Sequence, residues 1–120
     1  MCNQQKRLYS DVTTLLHEVG VPAHMLGHDY LRYAIILVYE QPHKMKRITK
    51  EVYPEIAKVY KTSVGSVEKS MRNTIETTWI RTSCEFIYEV FGNTVDIRKT
   101  KPSNKEFIAM LVDRLRICYM

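Results

Sequence analysis

Apolar residues along this chain recur every three or four positions, the spacing of one helix face, and seldom alternate as a half-buried strand requires. Val12, Leu15, Leu16 and Val19 form the first such stripe. Ser10 or Asp11 can cap its start. Gly20-Val21-Pro22 ends it, because glycine accepts a left-handed cap and proline cannot continue the helix. A second stripe, Leu31, Ala34, Ile35 and Val38, predicts a helix over about 29–40. Ile36, Leu37 and Tyr39 make that helix apolar nearly all round, which suits the centre of the fold. Gln41-Pro42-His43 breaks it, and a basic stretch with Lys44, Lys46, Arg47 and Lys50 follows.

The next segment carries the pattern of a helix-turn-helix. Pro54 is tolerable only near the first turn of its helix. Ile56 and Tyr60 stand four apart and can share a face, and small Ala57 lets a second helix approach closely. Thr62 and Ser63 stand where a new helix needs an N-cap, and Val67, Met71 and Ile75 line one face of a helix over about 64–80. In such a unit the second helix enters the DNA major groove. A shorter helix over about 83–91 ends at Gly92-Asn93, and a basic loop, Arg98-Lys99-Thr100-Lys101-Pro102, follows. Ser103-x-x-Glu106 is a capping box that opens a last helix with Phe107, Ile108, Leu111, Val112 and Leu115 inward. The expected fold is all-α, about six helices containing a helix-turn-helix, as one domain over about 10–120 behind a short polar leader, 1–9.

Composition narrows the function. A chain of 120 residues, 45% hydrophobic and 26% charged, can build one core without a disulfide or a metal. Its net charge of +5 favours a polyanionic partner such as nucleic acid. Cys2, Cys84 and Cys118 are far apart and odd in number, which argues for a reducing cytoplasm and against a disulfide scaffold or a zinc finger. The N-terminus lacks the apolar core of a signal peptide, and the longest apolar run, Ala34 to Tyr39, is too short to span a bilayer.

On a wheel of about 3.6 residues per turn, Val64, Val67, Met71, Ile75, Thr78 and Trp79 cluster on one side of the second motif helix. Ser66, Lys69 and Asn73 occupy the other, with Glu68 and Arg72 on its shoulder. Arginine or lysine can donate to guanine, asparagine can bond adenine, and glutamate can accept from cytosine, so this is a candidate reading face. Lys44, Lys46, Arg47, Lys58, Lys61, Thr62, Ser63, Arg98, Lys99 and Lys101 lie in or beside loops and are candidate phosphate contacts. Lys61 stands where many such turns carry glycine. No cofactor is called for. His24 and His28 are four apart, but Pro22 and Gly27 argue against a regular helix there, and no cysteine or paired carboxylate completes a metal site. No glycine-rich phosphate loop and no nucleophile with a base and an orienting partner suggests an enzyme.

Longer strings then point to a family. His17-Glu18-Val19-Gly20-Val21-Pro22-Ala23-His24, Gly27, Tyr30-Leu31-Arg32, Tyr53-Pro54-Glu55-Ile56-Ala57-Lys58, Phe91-Gly92-x-Thr94-Val95 and Lys101-Pro102-Ser103-Asn104-x-Glu106-Phe107-Ile108-Ala109-Met110 occur in this order. Together they resemble the C-terminal effector domain of the stage zero sporulation protein A family, response regulators that start endospore formation. The resemblance implies an all-helical DNA-binding domain that reads promoter boxes of the TGTCGAA kind, often as tandem dimers, and regulates transcription. It implies base-reading roles for Glu68 and Arg72. Ser66 stands where the family has a base-reading arginine, and Lys69 replaces another. It also implies contact with the RNA polymerase sigma factor, for which Phe86, Phe91 and Val95 are the candidates. The family's receiver domain has no counterpart here, so the expectation is a stand-alone regulator controlled by abundance or by a partner. The alternative is a protein-interaction module that modulates a full-length regulator or a sigma factor, its DNA binding weakened by the altered helix.

Overall fold

A computed structural model of the protein describes residues 3–81 and 101–119. The fold is all-α. Among the described residues there are five α helices and no strand: α1 (Asn3–Val19), α2 (Leu26–Glu40), α3 (Tyr53–Val59), α4 (Val64–Arg81) and α5 (Asn104–Tyr119). The helix expected over about 83–91 lies outside the described residues.

Helix α1 begins at Asn3, well before the cap expected at Ser10. Gln4, Gln5, Lys6 and Arg7 are good helix formers, so nothing in the polar leader opposes the extension. Leu8 packs on the core, and the Arg32 guanidinium of α2 lies 4.2 Å from the centre of the Tyr9 ring. The end of α1 is as expected. Gly20 adopts φ 94°, and the Val21 N–H returns to the Leu16 carbonyl at 2.9 Å, closing the helix with a left-handed cap before Pro22.

Helix α2 starts at Leu26, earlier than its apolar stripe suggests, so Gly27 and His28 lie inside a regular helix after all. Gly27 does not break the helix; it brings α2 against α4. A Cβ at this position would overlap the Thr74 hydroxyl and stand 2.5 Å from the Ser70 carbonyl oxygen. The expected stripe, Leu31, Ala34, Ile35 and Val38, is buried, and Leu37 is buried with it. Helix α2 packs against α1, α3, α4 and α5 and is the central helix.

Gln41-Pro42 ends α2, but the basic stretch behind it is not an open loop. A 3-10 segment, Pro42–Arg47, runs into one π turn, Ile48–Val52. Ile48 and Val52 are buried and pin the backbone, while Lys46, Arg47 and Lys50 face outward. Met71 and Ile75 from α4 and Phe107, Ile108, Leu111 and Leu115 from α5 complete the core.

His28 is buried at 2% exposure, its ring stacked on His17 at 5.5 Å. Its Nδ1 lies 3.5 Å from Asp29, and its Nε2 has no hydrogen-bond partner among the described residues. Burial lowers its pKa below the ordinary 6.5, assisted by Arg32 and His17 and opposed by Asp29. An unfolded chain therefore takes up this proton first. Stability is expected to be level with respect to this group above about pH 6.5 and to fall as the pH drops below it, by up to about 1.4 kcal/mol per unit. Urea titrations at pH 7.5 and 5.5 on the native chain and on His28→Gln should show a smaller acid loss in the variant; equal losses would remove His28 as the cause.

Candidate nucleic-acid interface

The turn between α3 and α4 is built from backbone bonds. The Thr62 N–H reaches the Ala57 carbonyl at 2.9 Å, and the Tyr60 N–H reaches Ile56 at 2.9 Å. Lys61 occupies the left-handed position with φ 54°. It does what Gly20 does at the end of α1, at a cost of about 1 kcal/mol for carrying a Cβ there. Tyr60 falls beyond the end of α3. It does not share the burial of Ile56; its ring stands edge-on to Tyr30 at 5.1 Å and is 39% exposed.

Of the two candidate caps, Ser63 serves. Its Oγ accepts the Ser66 N–H at 3.1 Å and donates to the Ser66 hydroxyl at 2.9 Å. Replacing Ser63 with alanine should therefore lower stability by about 1 kcal/mol and fray the first turn of α4. Chemical denaturation and amide exchange at Ser66 and Val67 would show it. Unchanged exchange there would mean that the turn is held by packing alone.

Helix α4 divides as its wheel requires. Val67, Met71, Ile75 and Thr78 are buried, with Thr74 beside them; Val64 and Trp79 are half-buried. Ser66, Lys69, Arg72 and Asn73 are exposed on the other side. Arg72 Nη1 lies 3.3 Å from Glu68 Oε1, and both side chains are about half exposed. An exposed pair of this spacing is worth only about 0.3–0.5 kcal/mol, so either partner can turn to another ligand at little cost. Ser66 differs from its neighbours, because its hydroxyl is folded back on the cap.

One structural residue of this face escaped the reading of the sequence. Asn104, the first residue of α5, donates through Nδ2 to the Tyr53 hydroxyl and to the Glu68 carbonyl, both at 3.1 Å. It ties the start of α5 to α3 and to the first turns of α4. Behind it the capping box closes as expected, with Ser103 N–H to Glu106 at 2.9 Å and Glu106 N–H to Ser103 Oγ at 3.1 Å. Between these elements lies a groove of about 430 Å³ bordered by Thr49, Tyr53, Glu68, Arg72, Lys101 and Lys105. The only signal for Asn104 in the sequence was its place within the Lys-Pro-Ser-Asn string.

The candidate phosphate contacts are not equivalent. Lys58 and Lys61 are exposed beside the turn, and Lys46 and Arg47 are exposed on the 3-10 segment, with Arg47 3.3 Å from Glu51. Lys44 is only 14% exposed and lies 3.6 Å from Glu55, so it is largely engaged within the fold. Lys101 is bound to Glu76 at 2.6 Å, and that contact holds the Glu76 carboxyl below its usual range. Thr62 is half-buried and Ser63 is the cap. Arg98, Lys99, Phe86, Phe91 and Val95 lie outside the described residues.

This geometry agrees with a comparison of the whole chain. The family described as sporulation initiation factor Spo0A C terminal matches residues 12–115. The chain belongs to that family. Its members are DNA-binding effector domains of sporulation initiation and transcription control, not a class of enzymes. They bind the DNA element called the 0A box. Among the described residues no helix is long and apolar enough to cross a membrane, and no group of three or more His, Cys, Asp or Glu is placed to hold a metal ion.

Proposed function

We propose that this protein is a sequence-specific DNA-binding regulator of transcription that inserts α4 into the major groove. The observation that carries the reading is the exposed row of Lys69, Arg72 and Asn73 beside Glu68, on a helix whose other face is locked into the core. Glu68 and Arg72 read base edges, Asn73 extends the row, and Lys69 contacts a base or a phosphate. Lys58, Lys61, Lys46 and Arg47 grip the backbone around it, and Lys101 joins them when it leaves Glu76. Lys44 contributes least, being held by Glu55.

Ser66 is the weak position of this code. A serine whose hydroxyl is engaged by Ser63 cannot give the two-pronged contact that arginine makes with guanine, a difference of about 1–3 kcal/mol in discrimination. The preferred box is therefore related to TGTCGAA but relaxed at one base pair. By the same resemblance, two domains sit side by side on adjacent boxes and meet the RNA polymerase sigma factor in the cytoplasm.

The test is selection from a randomised duplex pool at near-physiological salt, followed by sequencing. Enrichment of a TGTCGAA-like box with one degenerate position supports the reading. A wholly unrelated box would reassign the base contacts. Bulk, salt-sensitive binding without enrichment would overturn it and favour the protein-interaction module.

A further inference from the structure

A second concave site lies in the fold between α1, α2 and the end of α3. It is a cavity of about 430 Å³ whose walls include Tyr9, Tyr33, Ile36 and Tyr60. A smaller cavity of about 250 Å³, lined by Gln5 and Leu8, adjoins it and shares Tyr9, Ile36 and Glu40. The two make one trough along the α1–α2 seam, with room for a ligand larger than a single side chain.

The trough has an apolar, tyrosine-rich floor and carboxylates at its edge, on a chain that is otherwise basic at +5. Two of those carboxylates are already satisfied. Asp29 holds Arg32 at 3.0 Å, and Glu55 accepts from the Tyr33 hydroxyl at 2.8 Å and lies 3.6 Å from Lys44. Burial and Glu55 push the Tyr33 pKa up to about 12, so that hydroxyl stays a donor. Glu40 is different. It is exposed at the junction of the two cavities, and no described residue pairs with it. It is also the last residue of α2, where the carbonyl end of the helix adds partial negative charge. Arg32, which also lines the cavity, lies 4.2 Å over Tyr9, so one ring of the wall already carries the guanidinium of the chain itself, and Tyr60 offers a ring without one among the described residues.

We infer that this trough is a binding site for an amphipathic organic cation, a primary ammonium on an apolar stem, with the stem over Tyr9, Ile36 and Tyr60 and the ammonium at Glu40. The site is separate from the exposed face of α4. It touches the helix-turn-helix through Glu55 of α3 and through Tyr60, the residue before Lys61.

Hexylammonium chloride is the probe, titrated into the full chain and followed by amide chemical shifts. Saturable shifts at Tyr9, Ile36, Glu40 and Tyr60, with a Kd on the order of 1 mM, are expected for so small a ligand. Glu40→Gln should weaken binding roughly two- to fivefold, the scale of one exposed ion pair. Ile36→Trp, which fills the trough from its floor, should abolish the shifts while circular dichroism shows a folded chain. Hexanoate or hexan-1-ol binding as well as the ammonium would overturn the inference. So would an unchanged affinity in Glu40→Gln, or the absence of any saturable shift.

Discussion

Gly27→Ala is expected to destabilise the protein by about 3 kcal/mol, roughly 10 °C in its thermal midpoint. The added methyl would collide with the Thr74 hydroxyl, stand 2.7 Å from Thr74 Cβ and stand 2.5 Å from the Ser70 carbonyl oxygen. The hydroxyl could rotate away. The carbonyl cannot move cheaply, because it belongs to the backbone of α4. Alanine gains about 1 kcal/mol over glycine in helix propensity, too little to offset separating two packed helices. The same substitution at Gly65 provides the control. That residue is also helical, in the first turn of α4, but a Cβ there meets nothing within 4 Å. Gly65→Ala should therefore stabilise by about 0.5–1 kcal/mol. Urea unfolding of both variants decides the matter; shifts of the same sign would mean that α2 and α4 do not meet closely at Gly27.

These two glycines mark the boundary of what the sequence discloses. The stripes at Val12, Leu15, Leu16 and Val19, and at Val67, Met71 and Ile75, are periodic, and periodicity identifies a buried face without knowledge of its partner. Gly27 has no period. Read locally it is a helix breaker, and it argued against a helix at His28. Its role is set by Ser70 and Thr74, which are distant in sequence. Asn104 was illegible for the same reason, since its two acceptors belong to α3 and α4. Lys61 was legible in part: the turn required a left-handed residue, and φ 54° shows that lysine supplies it. The start of α1 was misplaced because Ser10 and Asp11 look like caps, whereas the residues before them favour helix and Tyr9 receives Arg32. The exposed side of α4 was legible as a face. That Ser66 turns toward Ser63 was not, because a hydroxyl near a helix start can serve the cap or a ligand, and only the rotamer distinguishes the two.

Arg72→Ala should reduce affinity for the selected box by roughly ten- to a hundredfold, the loss of one bidentate contact of about 1–3 kcal/mol. Affinity for unrelated duplex should fall far less, so the ratio of specific to non-specific binding carries the result. Lys105→Ala is the matched control. It removes one positive charge from the edge of the same groove, at the first turn of α5, but it lies on no base-reading face. Its loss should weaken specific and non-specific binding alike and leave the ratio unchanged. The fold should tolerate both changes, since both side chains are exposed and the Glu68–Arg72 pair contributes only about 0.3–0.5 kcal/mol. Removing Arg72 also frees Glu68, so part of the discrimination at the base pair read by Glu68 should change with it. A double substitution of Glu68 and Arg72 should therefore cost less than the sum of the two single ones. Equal effects of Arg72→Ala and Lys105→Ala on the ratio would mean that α4 holds DNA by charge alone, and that its exposed row does not read sequence.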